Sequence, residues 1–323
     1  LSRLKPGEQE RPQNRLYDTK SGEIDDDNNK DKFIGAYISE LEMDSPYIQI
    51  LNNPQSNILN ISPELQHTFY GINQIGAKYI RRPIIAACRE WGKKDLRDPR
   101  IQELSDCLLK SFFMYKTVGD KSIDVVRKMA RSVTQMIMSD PSNTSEIFKI
   151  VLDNPDIVRY INKQGFKDDF AYYVEELDPK PAKYILMSLE HELNKPGGIS
   201  LNLVNSETQL EHIFPQNAKS DDWPNLKDLE DHINRLGNLT LMPKKWNIEL
   251  SNHSYSDKLN GVSQNGSSPI SYKKSGFKLN KIGIGEISDV WNRDSMEDRE
   301  RELCEIANRI WDLNTYRNKY CET

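Results

Sequence analysis

Two short apolar runs and the stretch behind them constrain the fold of this chain more than any other feature. The first run closes on the acid–histidine pair Glu211 and His212, and the second opens on Asn238. Both runs have the composition and alternation of short β-strands. Residues 243–251, which include Asn247, carry few strand signals and read as the start of a helix. The order predicts strand, strand, helix, with one polar site residue on each.

These residue types suit the hydrolysis of a phosphodiester, which needs a base to take a proton from water and a cation to offset charge. The imidazole of His212 is a candidate base, since the ordinary histidine pKa is about 6.5. The oxygens of Glu211 and Asn247 suit Mg²⁺, which takes few protein ligands. Asn238 is expected to hold the loop carrying His212, because an amide both donates and accepts hydrogen bonds.

The strand geometry sets a condition on this interpretation. Side chains of adjacent strand residues point to opposite faces, so Glu211 and His212 can share one centre only where the strand ends. Pro215 supports such an end, because it removes a ladder donor. Each residue alone also has an ordinary explanation: a surface Glu-His pair, a turn at Asn238 and a helix cap at Asn247. The joint pattern is what favours a site.

That pattern resembles the C-terminal HNH, or ββα-metal, nuclease domain of the GmrSD-type, modification-dependent (type IV) restriction and phage-defence nucleases. The similarity covers about Leu201 to Trp311, and the stretch from Phe170 to Leu186 resembles the helical segment before that domain. The motif residues are Glu211, His212, Ile213, Pro215 and Gln216, then Leu236, Gly237, Asn238, Leu239, Thr240 and Leu241, then Asn247, Leu250, Ser251, Asn252 and Lys258. A closing helix fits through Trp291, Arg299, Leu303, Ala307, Ile310 and Trp311.

The resemblance implies roles for these residues. His212 would be the base, Asn247 a metal position and Glu211 a second ligand, with Mg²⁺ or Mn²⁺ as the metal. Asn252 and Lys258 would support the site or face DNA. The cysteine pairs of many HNH domains are missing, so no zinc is expected. The resemblance also implies an N-terminal nucleotide-hydrolysing sensor domain that this chain does not contain.

Charge gives a second indication of a DNA-binding surface. The net charge of the whole chain is −5, yet residues 241–285 contain seven lysines and only two acidic residues. A basic surface beside the motif would suit phosphate contact, and a solvated lysine-rich loop explains the charge equally well. The nucleic-acid contacts that we predict are Lys244, Lys245, Asn252, Lys258, Lys273 and Lys274.

The rest of the chain predicts a mainly α protein with a small α+β part. Residues 1–32 are polar and predict a mobile linker, 33–197 predict a helical domain, and 198–323 predict the HNH domain with a C-terminal packing helix. Ile199–Val204 alternates like a strand. The predicted strand–strand–helix unit that carries the motif is called the finger, and Trp223 is expected in its core. Scattered cysteines and the absence of a long apolar run indicate a cytoplasmic protein.

The sequence therefore predicts a metal-dependent DNA endonuclease, nicking or cutting both strands, that acts in defence against foreign or modified DNA. The alternative is a helical DNA-binding or protein-interaction module whose nuclease site is inert or depends on a partner.

Overall fold

The computed structural model describes residues 27–92, 95–162, 164–195, 207–262, 269–284 and 290–321. Within these ranges the chain is mainly helical, with one two-stranded antiparallel sheet. The predicted fold class, mainly α with a small α+β part, is confirmed. Across the same ranges, no helix is long and apolar enough to cross a membrane.

Nine helices form the first part of the described chain. Their starts follow the sequence closely: Ser62, Asp98, Ser122 and Asn143 each accept a hydrogen bond from a first-turn backbone N–H. The helices are α1 (Asp27–Asn52), α2 (Pro63–Gln74), α3 (Arg81–Ala87), α4 (Pro99–Phe112), α5 (Ile123–Ser139), α6 (Thr144–Leu152), α7 (Pro155–Asn162), α8 (Gly165–Tyr173) and α9 (Pro179–Asn194). Most apolar residues on α4, α5, α6 and α9 are buried, in keeping with the helical domain predicted over 33–197.

The second part holds the sheet and five further helices. Strands β1 and β2 pair antiparallel, with Glu211 opposite Thr240 and His212 opposite Leu239. The elements are β1 (Thr208–His212), α10 (Leu226–Leu229), β2 (Leu239–Pro243), α11 (Lys244–Leu250), α12 (Tyr255–Asn260), α13 (Arg293–Ile310) and α14 (Asn314–Tyr320). Helix α11 follows β2 directly, so the predicted order of strand, strand and helix is present.

The main hydrophobic core extends from the first part of the chain into the second. It includes Leu239 and Leu241 of β2 together with Leu303 of α13, and Trp311 stacks on Phe113 at 4.6 Å between ring centroids. Helix α13, which we expected to pack on the finger, contacts both residues 236–238 and α9. A smaller cluster lies beneath the finger, and the predicted core residue Trp223 is part of it.

Three predictions fall partly or wholly outside the described residues. Of the linker predicted over 1–32, residues 1–26 are not described, and residues 27–32 begin α1 instead of extending a linker. The strand predicted at 199–204 and the domain boundary at 197/198 are also outside the described ranges.

Helix α13 fixes the segment that leads into β2. The guanidinium of Arg299, which is fully buried, donates to the carbonyls of Gly237 at 2.7 Å and Leu239 at 2.9 Å. Burial lowers the pKa of Arg299 to about 10. Glu300 accepts from the Arg235 side chain at 2.6 Å and from the Gly237 backbone N–H at 3.3 Å. These bonds satisfy buried backbone groups at the approach to the strand.

Candidate functional site

His212 is the last residue of β1 and is partly buried. Its Nε2 lies 3.3 Å from Oδ1 of Asn234 and 3.5 Å from Nε2 of the exposed Gln216. Burial lowers the pKa of His212, the hydrogen bond with Asn234 opposes that shift, and the charge on Lys258 adds to it. A lowered pKa favours the neutral ring, which is the form that a general base requires.

Asn238 is fully buried, and both the oxygen and the nitrogen of its amide form hydrogen bonds. Oδ1 accepts from the backbone N–H of Phe214 at 2.8 Å and from the indole of Trp291 at 3.2 Å. Nδ2 donates to the carbonyls of Phe214 at 3.0 Å and Ile233 at 2.8 Å. The hydrogen bonds that we expected between Asn238 and the loop after His212 are thus present. Its burial suits a positioning residue and not one that touches a substrate.

Asn247 lies on α11 and contacts β1 through its amide nitrogen. Nδ2 donates to the Leu210 carbonyl at 3.1 Å and to Oε1 of Gln209 at 3.2 Å. Leu210 is two residues before His212, about 7 Å along a strand that rises about 3.3 Å per residue. Asn247 therefore contacts the middle of β1, the strand that His212 closes. The bonds to β1 use the nitrogen, which leaves the amide oxygen as the group suited to a hard cation.

Glu211 has different surroundings from its neighbour. It is buried, and its Oε1 accepts from the ammonium of Lys258 at 2.7 Å and from the hydroxyl of Tyr272 at 2.9 Å. Burial raises the pKa of Glu211 and lowers that of Lys258, and the attraction between the two opposes both shifts. The carboxylate that we expected to hold a metal is thus paired with a lysine, and only Oε2 lies outside these two bonds.

Lys258 is not on the surface, where its predicted contact with DNA would require it to be. Its side chain is fully buried, and its ammonium also donates to the carbonyls of His212 at 2.9 Å and Ile213 at 3.3 Å. A buried ammonium cannot reach a phosphate on a bound duplex, so the DNA-facing assignment is wrong for this placement. Lys258 instead supports the strand end, which is the other role that the resemblance allowed.

The remaining predicted nucleic-acid residues are more accessible. Lys244 and Lys245 in the first turn of α11 are exposed, as are Lys273 and Lys274. Lys273 also donates to Oδ1 of Asn260 at 2.8 Å. Asn252 is partly buried, and its carbonyl accepts from the indole of Trp223 at 3.4 Å. The four exposed lysines could meet a phosphate backbone, whereas Asn252 contributes mainly to the finger's packing.

The residues present fit a magnesium-type ion only in part. Over the described ranges, no three His, Cys, Asp or Glu side chains come together as a metal site. Mg²⁺ keeps several waters and needs only one or two protein oxygens. The Asn247 amide oxygen would meet the lower of these two numbers. Glu211 would join it only through Oε2 or after Lys258 releases Oε1.

Sequence reasoning missed several residues around the site. Asn234, Glu176 and Tyr272 were not singled out, although each bonds a motif residue or its direct partner. No motif position or periodicity marks them in the sequence. Asn234 lies two residues before the Leu236-Gly237-Asn238 motif, and that proximity is the one signal available.

A histidine at the end of a strand, an amide on the helix that follows the partner strand and a buried asparagine belong to one strand–strand–helix unit. Comparison with known protein families identifies the family that this unit resembles. Residues 160–306 match the family model described as GmrSD restriction endonucleases, C-terminal domain. The resemblance to the GmrSD-type C-terminal domain drawn from the motifs is therefore confirmed over these residues. The match begins in α7, so it includes α8 and α9. No curated protein matches the chain.

Proposed function

We propose that the chain is the metal-dependent DNA-cutting part of a restriction system, with His212 as the general base. The observation that supports it best is that His212 and Asn247 are both tied to β1. His212 closes β1, and the amide of Asn247 bonds the same strand two residues earlier. The family match adds a restriction-nuclease setting for that geometry.

In this proposal the neutral His212 ring takes a proton from the attacking water. Lys258 bonds the His212 carbonyl and Asn238 bonds the Phe214 N–H, so the backbone at and after His212 is held and the ring starts from a fixed position. Asn247 would hold Mg²⁺ or Mn²⁺ through Oδ1, and Glu211 would add a second ligand only through Oε2 or after Lys258 releases Oε1. When bound there, the ion would offset charge on the phosphate and on the departing 3′ oxygen. The products would carry 5′-phosphate and 3′-hydroxyl ends.

The DNA backbone would lie against the exposed lysines Lys244, Lys245, Lys273 and Lys274. Contacts of this kind are sequence-independent and weaken as salt rises, because each one releases counterions from the phosphates. A nucleotide-hydrolysing sensor domain on the parent protein would supply recognition of modified DNA. Action on foreign DNA would place the protein in the cytoplasm.

A plasmid-nicking assay tests the proposal. We expect cleavage with Mg²⁺ or Mn²⁺ and none with chelator. His212→Ala should lower the rate by about 10²–10⁴-fold, the usual cost of losing a general base. His232→Ala is the matched control, since it removes a partly buried finger histidine outside the proposed chemistry. Nicking by His212→Ala at the wild-type rate would end the assignment.

The ion pair between Glu211 and Lys258 favours one alternative, a DNA-binding or protein-interaction module whose nuclease site is inert or waits for a partner. Such a module would bind DNA in a salt-sensitive way without cutting it. Binding would also be indifferent to chelator and to His212→Ala. Measuring DNA retention on the samples used for nicking distinguishes the nuclease from the non-cutting binding module.

A further inference from the structure

We propose that Glu176 and Asn234 are positioning residues for His212, which turn its ring so that Nδ1 is the nitrogen that faces the reaction. The proton transfer named here rests on the proposed function, whereas the hydrogen-bond chain itself does not. Glu176 belongs to the segment between α8 and α9, so the helical part of the molecule contributes directly to the site. Each bond in the chain fixes the orientation of the next group.

The first bond fixes the amide of Asn234. Its Nδ2 donates to Oε1 of Glu176 at 2.7 Å. An ionised carboxylate accepts hydrogen bonds and donates none, so the nitrogen end of the amide must face Glu176. The oxygen end, Oδ1, consequently faces away from Glu176 and towards His212.

The second bond fixes the ring of His212. Oδ1 of Asn234 can only accept, and it lies 3.3 Å from Nε2 of His212. Nε2 must then carry the proton, and Nδ1 of the neutral ring keeps its lone pair. The contact with Nε2 of Gln216 is longer, at 3.5 Å, and would place two donors together. Gln216 is exposed and its amide can turn over, whereas Asn234 is partly buried and its amide donates to Glu176 at 2.7 Å.

The backbone around this chain is held as well. The Leu177 N–H donates to the Asn234 carbonyl at 3.1 Å, and the Leu236 N–H donates to the Val174 carbonyl at 2.9 Å. Two main-chain bonds therefore join the segment after α8 to the loop that carries Asn234. The side-chain chain from Glu176 to His212 thus has a fixed frame, which is the condition for setting a ring orientation.

The test is a double-mutant cycle on steady-state nicking with the whole chain. We expect Asn234→Ala to lower kcat by about ten- to a hundred-fold, the range typical of an outer partner of an active group, with little change in KM. Glu176→Gln should lower kcat in the wild-type background and have no further effect beside Asn234→Ala. Glu175→Gln is the matched control, because Glu175 contacts Arg235 at 3.7 Å and should leave kcat unchanged.

A swap of donor and acceptor tests the logic of the chain. In the double variant Glu176→Gln with Asn234→Asp, the glutamine amide can donate to Asp, and Asp can still accept from His212. We expect this variant to nick faster than Asn234→Ala. Equal rates for the two, or a full effect of Glu176→Gln in the Asn234→Ala background, would overturn the proposal.

A spectroscopic readout separates this inference from the proposed function. Imidazole ¹⁵N shifts of neutral His212, assigned by comparison with His212→Ala, should show protonated Nε2 in the wild type. The share of the Nδ1–H form should rise in Asn234→Ala. Unchanged shifts would refute the positioning role even in an active nuclease. The expected change in a protein that cuts no DNA would support the positioning role while the proposed function fails.

Discussion

Neighbouring residues of β1 have unlike surroundings, because a strand sends successive side chains to opposite faces. Glu211 enters the interior, where Lys258 and Tyr272 bond its Oε1. His212 points towards Asn234 and remains partly accessible. An acid–histidine pair in a sequence therefore does not by itself place both groups at one centre.

The shifted pKa of His212 predicts the pH dependence of nicking. Burial is the main cause and lowers the pKa from its ordinary value of about 6.5. A general base works in its neutral form, so the rate should rise with pH and reach half of its plateau below about pH 6.5. The pH profile of single-turnover nicking at fixed ionic strength measures it. A rate that reaches half of its plateau well above about pH 6.5 would contradict the assignment of His212 as a partly buried general base.

The pair of Lys258 and Glu211 predicts a large stability effect. Lys258→Met would leave the buried carboxylate without its counter-ion, and breaking such a pair typically costs about 3–5 kcal/mol. Adding Glu211→Gln should recover much of that loss, since the interior then holds no unpaired charge. Urea unfolding of the two variants and the wild type gives the free energies of unfolding. A single variant as stable as the wild type would show that this pair does not hold the strand end.

The motif residues themselves could be predicted from the sequence, and their partners could not. His212, Asn238 and Asn247 stand in a spacing that a family shares, so the sequence marks them. Lys258 was marked too, but its burial depends on how α12 packs against β1. Asn234 and Glu176 act through contacts between distant segments, which neither spacing nor periodicity encodes.

At the scale of elements, the docking of α13 on the approach to β2 depends on a glycine. An added Cβ at Gly237 would overlap the carbonyl oxygen of Met296, a backbone atom that cannot turn aside. Arg299 and Glu300 of the same helix bond the backbone of this approach, so a displaced helix would also disturb those bonds. The close approach explains why a residue without a side chain stands there.

Two glycine substitutions test this docking. Gly237→Ala should destabilise the protein by about 1–3 kcal/mol or more, the usual cost of overpacking. Gly276→Ala is the matched control, since an added Cβ there would have no atom within 4 Å. Thermal or urea unfolding compares the two. Equal stability of both variants would contradict the close packing of α13 on the strand approach.

The helices were predictable because their signals are local. Stripes of apolar residues and capping side chains mark α4, α5 and α6 within a few residues of their observed ends. The start of α1 was missed, because residues 27–32 are too polar to suggest a packed helix. A polar segment can still continue a helix whose later turns are packed, as Ile50 and Leu51 are.

At the scale of the molecule, the main core joins the helices to the sheet. Leu236, Leu239 and Leu241 belong to the same buried cluster as the helical residues, and Trp311 stacks among the aromatic rings of that cluster. Glu190 of α9 accepts from the backbone N–H groups of Lys278 and Leu279, both at 2.9 Å. The sequence suggested two domains, and pattern reading could not show how far their cores merge.

This shared core predicts cooperative unfolding. Hydrogen exchange across a urea series should show peptides of β1, β2 and α13 losing protection at the same urea concentration as those of α4 and α9. Residues of both parts lie in one cluster, so neither keeps its packing when the other unfolds. A finger that opens at clearly lower urea, with α4 and α9 still protected, would contradict this.

The central claim is that His212 and Asn247 serve a single metal-dependent centre for phosphodiester cleavage. The most direct test is an anomalous-scattering map from crystals soaked in Mn²⁺ at a concentration that supports nicking. We expect a peak beside Oδ1 of Asn247. An active protein whose map shows no peak at Asn247, or shows its ion at a distant site, would contradict the account.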